Sequence, residues 1–196
     1  MLIVALDLAV QTGWAKGKPG EQPTSGVIRV KEPSDPLFRA PRKLYSFLRD
    51  LNAFGDLPDI IGYEAGLSVN ARPRDPRTGE PVPQSEESLL MPIKLEQAVQ
   101  DWCLDRDIGP AGFPRVYPAT IRKHFLGKAN YGTKLLTKQA VAERCMLLGY
   151  VRRQELPKSA THILYDQCDA LALWDYLSAK YGRAHDRRLV LFGEHS

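Results

Sequence analysis

LIVALDLAVQTGWA, residues 2–15, is the stretch on which the fold turns. Leu2 to Leu6 run without a polar break, and Asp7 then closes the run. A short, unbroken apolar run is what a strand covered on both faces requires, so residues 2–8 are expected to form a buried strand. Thr12-Gly13-Trp14-Ala15 follows a tight turn and is expected to return antiparallel. Ser25 to Lys31 (SGVIRVK) alternates and reads as a third strand, with Pro, Gly and Glu supplying the turns. Leu37, Leu44, Phe47, Leu48 and Leu51 fall at helical spacing, which predicts a helix over 36–53. A second apolar run, Ile60-Ile61-Gly62-Tyr63, ends at Glu64, and 59–64 is expected to be the fourth strand. A helix over 86–107, a short strand at Arg115-Val116-Tyr117, helices from Pro118 to near Gly127 and from Thr133 to Leu148, and a long helix over 161–181 complete the reading. Strands and helices alternating in this way predict a mixed α/β domain.

The 196 residues suit one domain, placed at 1–182, with a charged, peripheral tail over 183–196. Residues 67–85 stand apart, because they carry Pro73, Pro76, Pro81 and Pro83 together with Arg72, Arg74 and Arg77. A long basic loop of this kind in a compact domain is either functional, able to grip a polyanion such as DNA backbone, or a solvated mobile loop. The net charge of +4 is modest, but pooling several acids in one site leaves the remaining surface more basic, which favours a polyanionic partner. Cys103, Cys145 and Cys168 are odd in number and lack C-x-x-C spacing, as expected of reduced core cysteines in a cytoplasmic protein. The N-terminal apolar run is short and broken by Asp7, unlike a signal peptide, and no run of about 20 apolar residues predicts a membrane span.

Four carboxylates sit where a carboxylate is costly. Asp7 and Glu64 end apolar strands, while Asp166 and Asp169 lie in the first turns of the last helix. At 100° per residue, Asp166 and Asp169 share a face with Ala170, Leu173 and Leu177, and Asp175 points away. The face that must pack on the sheet therefore carries two acids. Each acid alone has an ordinary reading, as a turn residue or as a partner of the helix dipole. Together they predict convergence, since strand ends and helix starts meet along one side of an α/β sheet. An all-oxygen donor set favours Mg²⁺, with Mn²⁺ able to substitute, over Zn²⁺. Two ions about 4 Å apart can activate a water and stabilise a leaving oxygen. Lys134 and Lys138 are neighbours at i, i+4 and suit phosphate contact. His162, four residues before Asp166, is a further candidate for holding metal or water.

The segments IVALDLAVQTGWA, IGYEAG, VYPATIRKHFLGK with TKQAVAERC, and DQCDALAL resemble the RuvC-type Holliday junction resolvases of the ribonuclease H-like nuclease superfamily. The resemblance spans most of residues 1–180 in order, and the D-x-x-D-A-L-A helix is its most specific part. It implies a central mixed five-stranded sheet flanked by helices and a homodimer. The implied reaction is Mg²⁺-dependent nicking of two opposed strands of a four-way junction, leaving 5′-phosphate and 3′-hydroxyl ends. It assigns Asp7, Glu64, Asp166 and Asp169 to the metal site and Lys138 to a basic catalytic position, with either Arg122 or Lys123 at a second one. Two departures stand out: Leu67 and Ser68 occupy the place of an aromatic residue just after the Glu, and the following loop is longer and richer in Pro and Arg. Both fit a phage or prophage member. Within the nuclease class, forks, flaps and RNA-containing duplex are alternative substrates, and a non-catalytic DNA-binding module is the alternative outside it. An actin-like kinase also begins with strand, acid and Gly turn, but no second Gly-rich phosphate loop follows here.

Overall fold

The computed structural model of the protein describes residues 1–51, 57–66, 78 and 85–192, with side chains through residue 182. Arg72, Arg74 and Arg77, and nearly all of the loop expected over 67–85, lie outside the described residues, as do 193–196.

Strand β1 (Ile3–Asp7) is the centre of a five-stranded sheet. It pairs antiparallel with β2 (Gln11–Gly17), which pairs antiparallel with β3 (Thr24–Arg29). On its other side β1 runs parallel to β4 (Ile60–Glu64), and β4 runs parallel to β5 (Arg115–Val116). The order is β3-β2-β1-β4-β5. Alternate β1 side chains feed two separate cores. Val4 and Leu6 face one core, shared with Leu44 and Leu48 of α1 (Arg39–Leu51) and Leu95, Val99 and Trp102 of α2 (Glu86–Leu104). Ile3 and Ala5 face the other, shared with α3 (Pro118–Leu126), α4 (Lys134–Leu147) and α5 (Ile163–Phe192). Cover on both faces is why β1 tolerates no polar residue before Asp7.

Strand and helix identities follow the sequence expectation, with shifted ends. β3 begins at Thr24 and stops at Arg29, and Lys31, expected in the strand, is instead buried in an ion pair with Glu87 (2.8 Å). The last helix runs well past the expected end at residue 181, to Phe192. Gly182 reads as a helix stop, but it is a contact: a Cβ there would lie 2.9 Å from Pro19.

Helix α5 crosses the sheet at close range, and two glycines make this possible. A Cβ on Gly62 of β4 would run into the side chain of Leu177, and a Cβ on Gly13 of β2 would collide with the backbone carbonyl of Asp166. Gly13 is also the registered partner of Asp7. The same close approach therefore sets the start of α5 beside the end of β1. Gly13→Ala is expected to destabilise the protein by about 3 kcal/mol, because backbone rather than a flexible side chain must move. Gly109→Ala, where an added Cβ meets nothing within 4 Å, should stay within about 0.5 kcal/mol. Chemical denaturation of the two variants measures the difference.

Candidate active site

The carboxyl ends of β1 and β4 carry the first two acids. The parallel register pairs Leu6 with Tyr63, so Asp7 and Glu64 are the next residues on adjacent strands, about 4.8 Å apart across the ladder. Helix α5 adds Asp166 in its first turn and Asp169 one turn on, and Gln167 Nε2 donates to Ser25 Oγ (2.9 Å), which ties this end of the helix to β3. Asp169 is buried, as are Ala170, Leu173 and Leu177 on the same face. Asp175, on the other side, accepts from Tyr150 Oη (2.7 Å) and pairs with His124 Nε2 (3.0 Å).

All four acids line one cleft of about 740 Å³, together with Arg122, Lys134 and Lys138. Lys138 lies inside it, with Nζ 3.0 Å from Asp166 Oδ1 and 3.3 Å from Asp169 Oδ2. Its helix is anchored by Thr133, whose hydroxyl accepts from the Leu136 amide (3.2 Å) and so caps the first turn. Lys134, one turn earlier, is exposed at the cleft rim.

Of Arg122 and Lys123, Arg122 is the one that lines the cleft. Pro118 lines the cleft and Arg122 is four residues on, so both share one face of α3, whereas Ala119 and Lys123 are exposed on the next. His162 takes a different place from the one considered for it. It is exposed, its Nδ1 accepts the Leu164 amide (3.2 Å), and it is not among the cleft residues. It caps the helix that carries the acids.

The electrostatics are strained toward cation binding. Burial pushes Asp7 well above the usual carboxylate range, and the charges of Glu64, Asp169 and Asp166 push the same way. Burial, reinforced by Asp169, raises Glu64 to about 7. Asp169 is also raised by burial, despite the opposing pull of Lys138 and Arg122. Burial alone would lower Lys138, but Asp169, Asp166 and Asp7 outweigh it and hold the ammonium firmly charged. The cations acting on the acids are thus Lys138 and Arg122, so full ionisation of the four leaves two negative charges unmatched. That deficit and the all-oxygen donors fit one hard divalent cation or more. Among the described residues, no three His, Cys, Asp or Glu side chains are gathered closely enough to hold a metal as they stand. Asp166 and Asp169 close on the Lys138 ammonium instead.

The far wall of the cleft carries no sequence motif that marks it as part of a site. It comprises Leu89, Pro92, Ile93 and Glu96 of α2 with Arg115 and Tyr117 at the end of β5. Glu96 accepts the Gly66 amide (3.1 Å) and pairs with Arg115 Nε (3.2 Å), which ties the chain just after Glu64 to both α2 and β5. Gly66 is the sequence signal, since a Cβ there would lie 2.9 Å from Pro92.

Compared with solved structures, the chain is similar to Thermus thermophilus RuvC, with a TM-score of 0.58 and 15% identity over 93% of this chain and 97% of that one. The chain has the RuvC fold. It is likewise similar to T. thermophilus RuvC in complex with a Holliday junction substrate, with a TM-score of 0.59 and 14% identity over 92% of this chain and 96% of that one. The mixed five-stranded sheet with helices on both faces is the ribonuclease H-like arrangement expected of RuvC-type resolvases. No protein-family model and no curated protein matches the sequence. Among the described residues, no helix is long and apolar enough to cross a membrane.

Proposed function

We propose that the protein is a metal-dependent endonuclease that resolves four-way DNA junctions by paired nicks. The observation that carries the reading is the convergence of Asp7, Glu64, Asp166 and Asp169 with Lys138 and Arg122 at one end of a RuvC fold. A non-catalytic DNA-binding module has no use for four acids, since partly buried carboxylates weaken binding to a polyanion and cost several kcal/mol each when unpaired.

Asp7, Glu64, Asp166 and Asp169 would hold Mg²⁺ or Mn²⁺, with two ions matching the number of acids. When bound, such cations supply Lewis acidity and positive charge toward a phosphodiester. Lys138, fixed between two acids, is placed to offset charge that develops on the phosphate, and Arg122 does the same from α3. Lys134 at the rim suits an adjoining backbone phosphate, a role also proposed for Arg72, Arg74 and Arg77. Hydrolysis adds the water oxygen to phosphorus and breaks the bond to O3′, which takes up the proton and leaves 3′-hydroxyl and 5′-phosphate ends. Two opposed nicks require two sites, which a symmetric homodimer provides.

The deciding experiment compares a four-way junction, a fork, a flap, an RNA-containing duplex and a linear duplex under Mg²⁺ and under EDTA. Junction cleavage at least about tenfold faster than linear duplex, lost in EDTA, is expected. Equal rates on junction and linear duplex would remove the resolvase assignment, and undiminished cleavage in EDTA would remove the metal.

A further inference from the structure

The apolar wall of the cleft has no task in gripping phosphate or metal. Tyr117 is its most exposed member, at 63%, and Ile93 in the same wall is 47% exposed. Tyr117 follows β5 in extended geometry and is the N-cap residue immediately before Pro118 starts α3. That position carries the ring out of both cores and into the cleft mouth. Its hydroxyl makes no hydrogen bond among the described residues. The guanidinium of Arg115 lies over one face of the ring, 5.9 Å from the centroid, and is itself held by Glu96 at 3.2 Å. One face of the ring is thus approached by a cation, and among the described residues no cation or aromatic ring is recorded against the other.

Ring, guanidinium and apolar wall together are complementary to one chemistry, a flat heterocycle attached to a phosphate. Arg122, Lys134 and Lys138 line the same cleft and supply the phosphate contacts. We propose that Tyr117, braced by Arg115, is a stacking platform for a nucleobase that has left its helical stack beside the scissile phosphate. The proposal rests on the nuclease reading above and adds a source of selectivity to it. A linear duplex keeps its bases stacked and offers none, whereas a branch point or single strand offers one at little cost. Stacking of a base on an aromatic side chain changes affinity by roughly tenfold.

The test uses the full-length protein in EDTA, with 2-aminopurine placed at the branch point of a four-way junction and, separately, within a single strand. Wild type and Tyr117→Phe are expected to change the probe's fluorescence on binding. Tyr117→Ala and Tyr117→Leu are expected to lose that change and to bind the junction about tenfold more weakly, with thermal midpoints like wild type because the ring is largely exposed. Retention of signal and affinity by Tyr117→Ala overturns the platform. So does a Tyr117→Leu protein that matches Tyr117→Phe, because apolar contact would then suffice without a ring. A wild-type protein that perturbs the single-strand probe yet neither prefers nor cuts a junction upholds the platform and removes the resolvase reading. A wild type that cuts junctions but perturbs neither probe does the reverse.

Discussion

Asp7→Asn is expected to lower junction cleavage by about 10³-fold or more while leaving junction affinity within about threefold of wild type. Asn keeps the shape of the side chain and one oxygen, so β1 and its pairing to Gly13 and β4 are undisturbed. It removes an anionic donor that feels the other three acids: Glu64, Asp169 and Asp166 all act on Asp7. In the proposed reading DNA contact rests on Arg122, Lys134, Lys138 and the stacking wall, none of which the substitution changes. The same change relieves repulsion among like charges, so the metal-free variant should melt higher than wild type at about pH 8. Cleavage assays under Mg²⁺, gel-shift titration in EDTA and a melting curve read the three effects. Wild-type cleavage by Asp7→Asn removes the acid from the reaction, and a parallel loss of binding and cleavage makes it a structural residue.

How much of this site the sequence displays depends on the range of the interactions that build it. Asp7 and Glu64 are visible because each closes an apolar run, and local patterning alone says that such a run is buried. Asp166 and Asp169 are visible because helical periodicity places them with Ala170, Leu173 and Leu177, which are indeed buried. That Arg122 rather than Lys123 lines the cleft depends on which face of α3 turns to it, which the fold and not the periodicity decides. Other features depend on contacts distant in sequence. Gly13 reads as an ordinary member of the returning strand, yet its lack of a side chain is what lets the Asp166 carbonyl come up against β2. Tyr117, Arg115 and Glu96 carry no pattern of their own and become a wall only when β5 and α2 meet beside β4. The length of α5 was misjudged for a related reason: Gly182 resembles a stop, but contact with Pro19 explains it.

Metal should stabilise the protein strongly at about pH 8 and weakly at about pH 5, and the sign follows from the direction in which burial moves the acids. Glu64 is raised from its ordinary 4.5 to about 7, and Asp7 is raised well above 3.8. A group raised on folding binds its proton more tightly in the native state than in the unfolded chain. Its stabilising contribution is therefore complete below the unfolded value and is lost as pH climbs through the folded one. For Glu64 alone the span from 4.5 to about 7 corresponds to roughly 3 kcal/mol, and Asp7, raised in the same direction, adds to the loss. Metal-free protein should thus become less stable between about pH 4 and pH 7, contrary to the usual behaviour of carboxylates paired in the native state. Lys138 moderates the loss without cancelling it, because one ammonium faces several acids and stays charged throughout. A divalent cation replaces the protons that leave, and saturation at about 100 times its dissociation constant adds about 2.7 kcal/mol. For a domain of this size that is a rise in Tm of roughly 5–10 °C. Thermal melts across pH with and without millimolar MgCl2 test it. Equal shifts at both ends of the range would mean that cation binding is not linked to ionisation of the buried acids. The ions would then sit elsewhere than between Asp7, Glu64, Asp166 and Asp169.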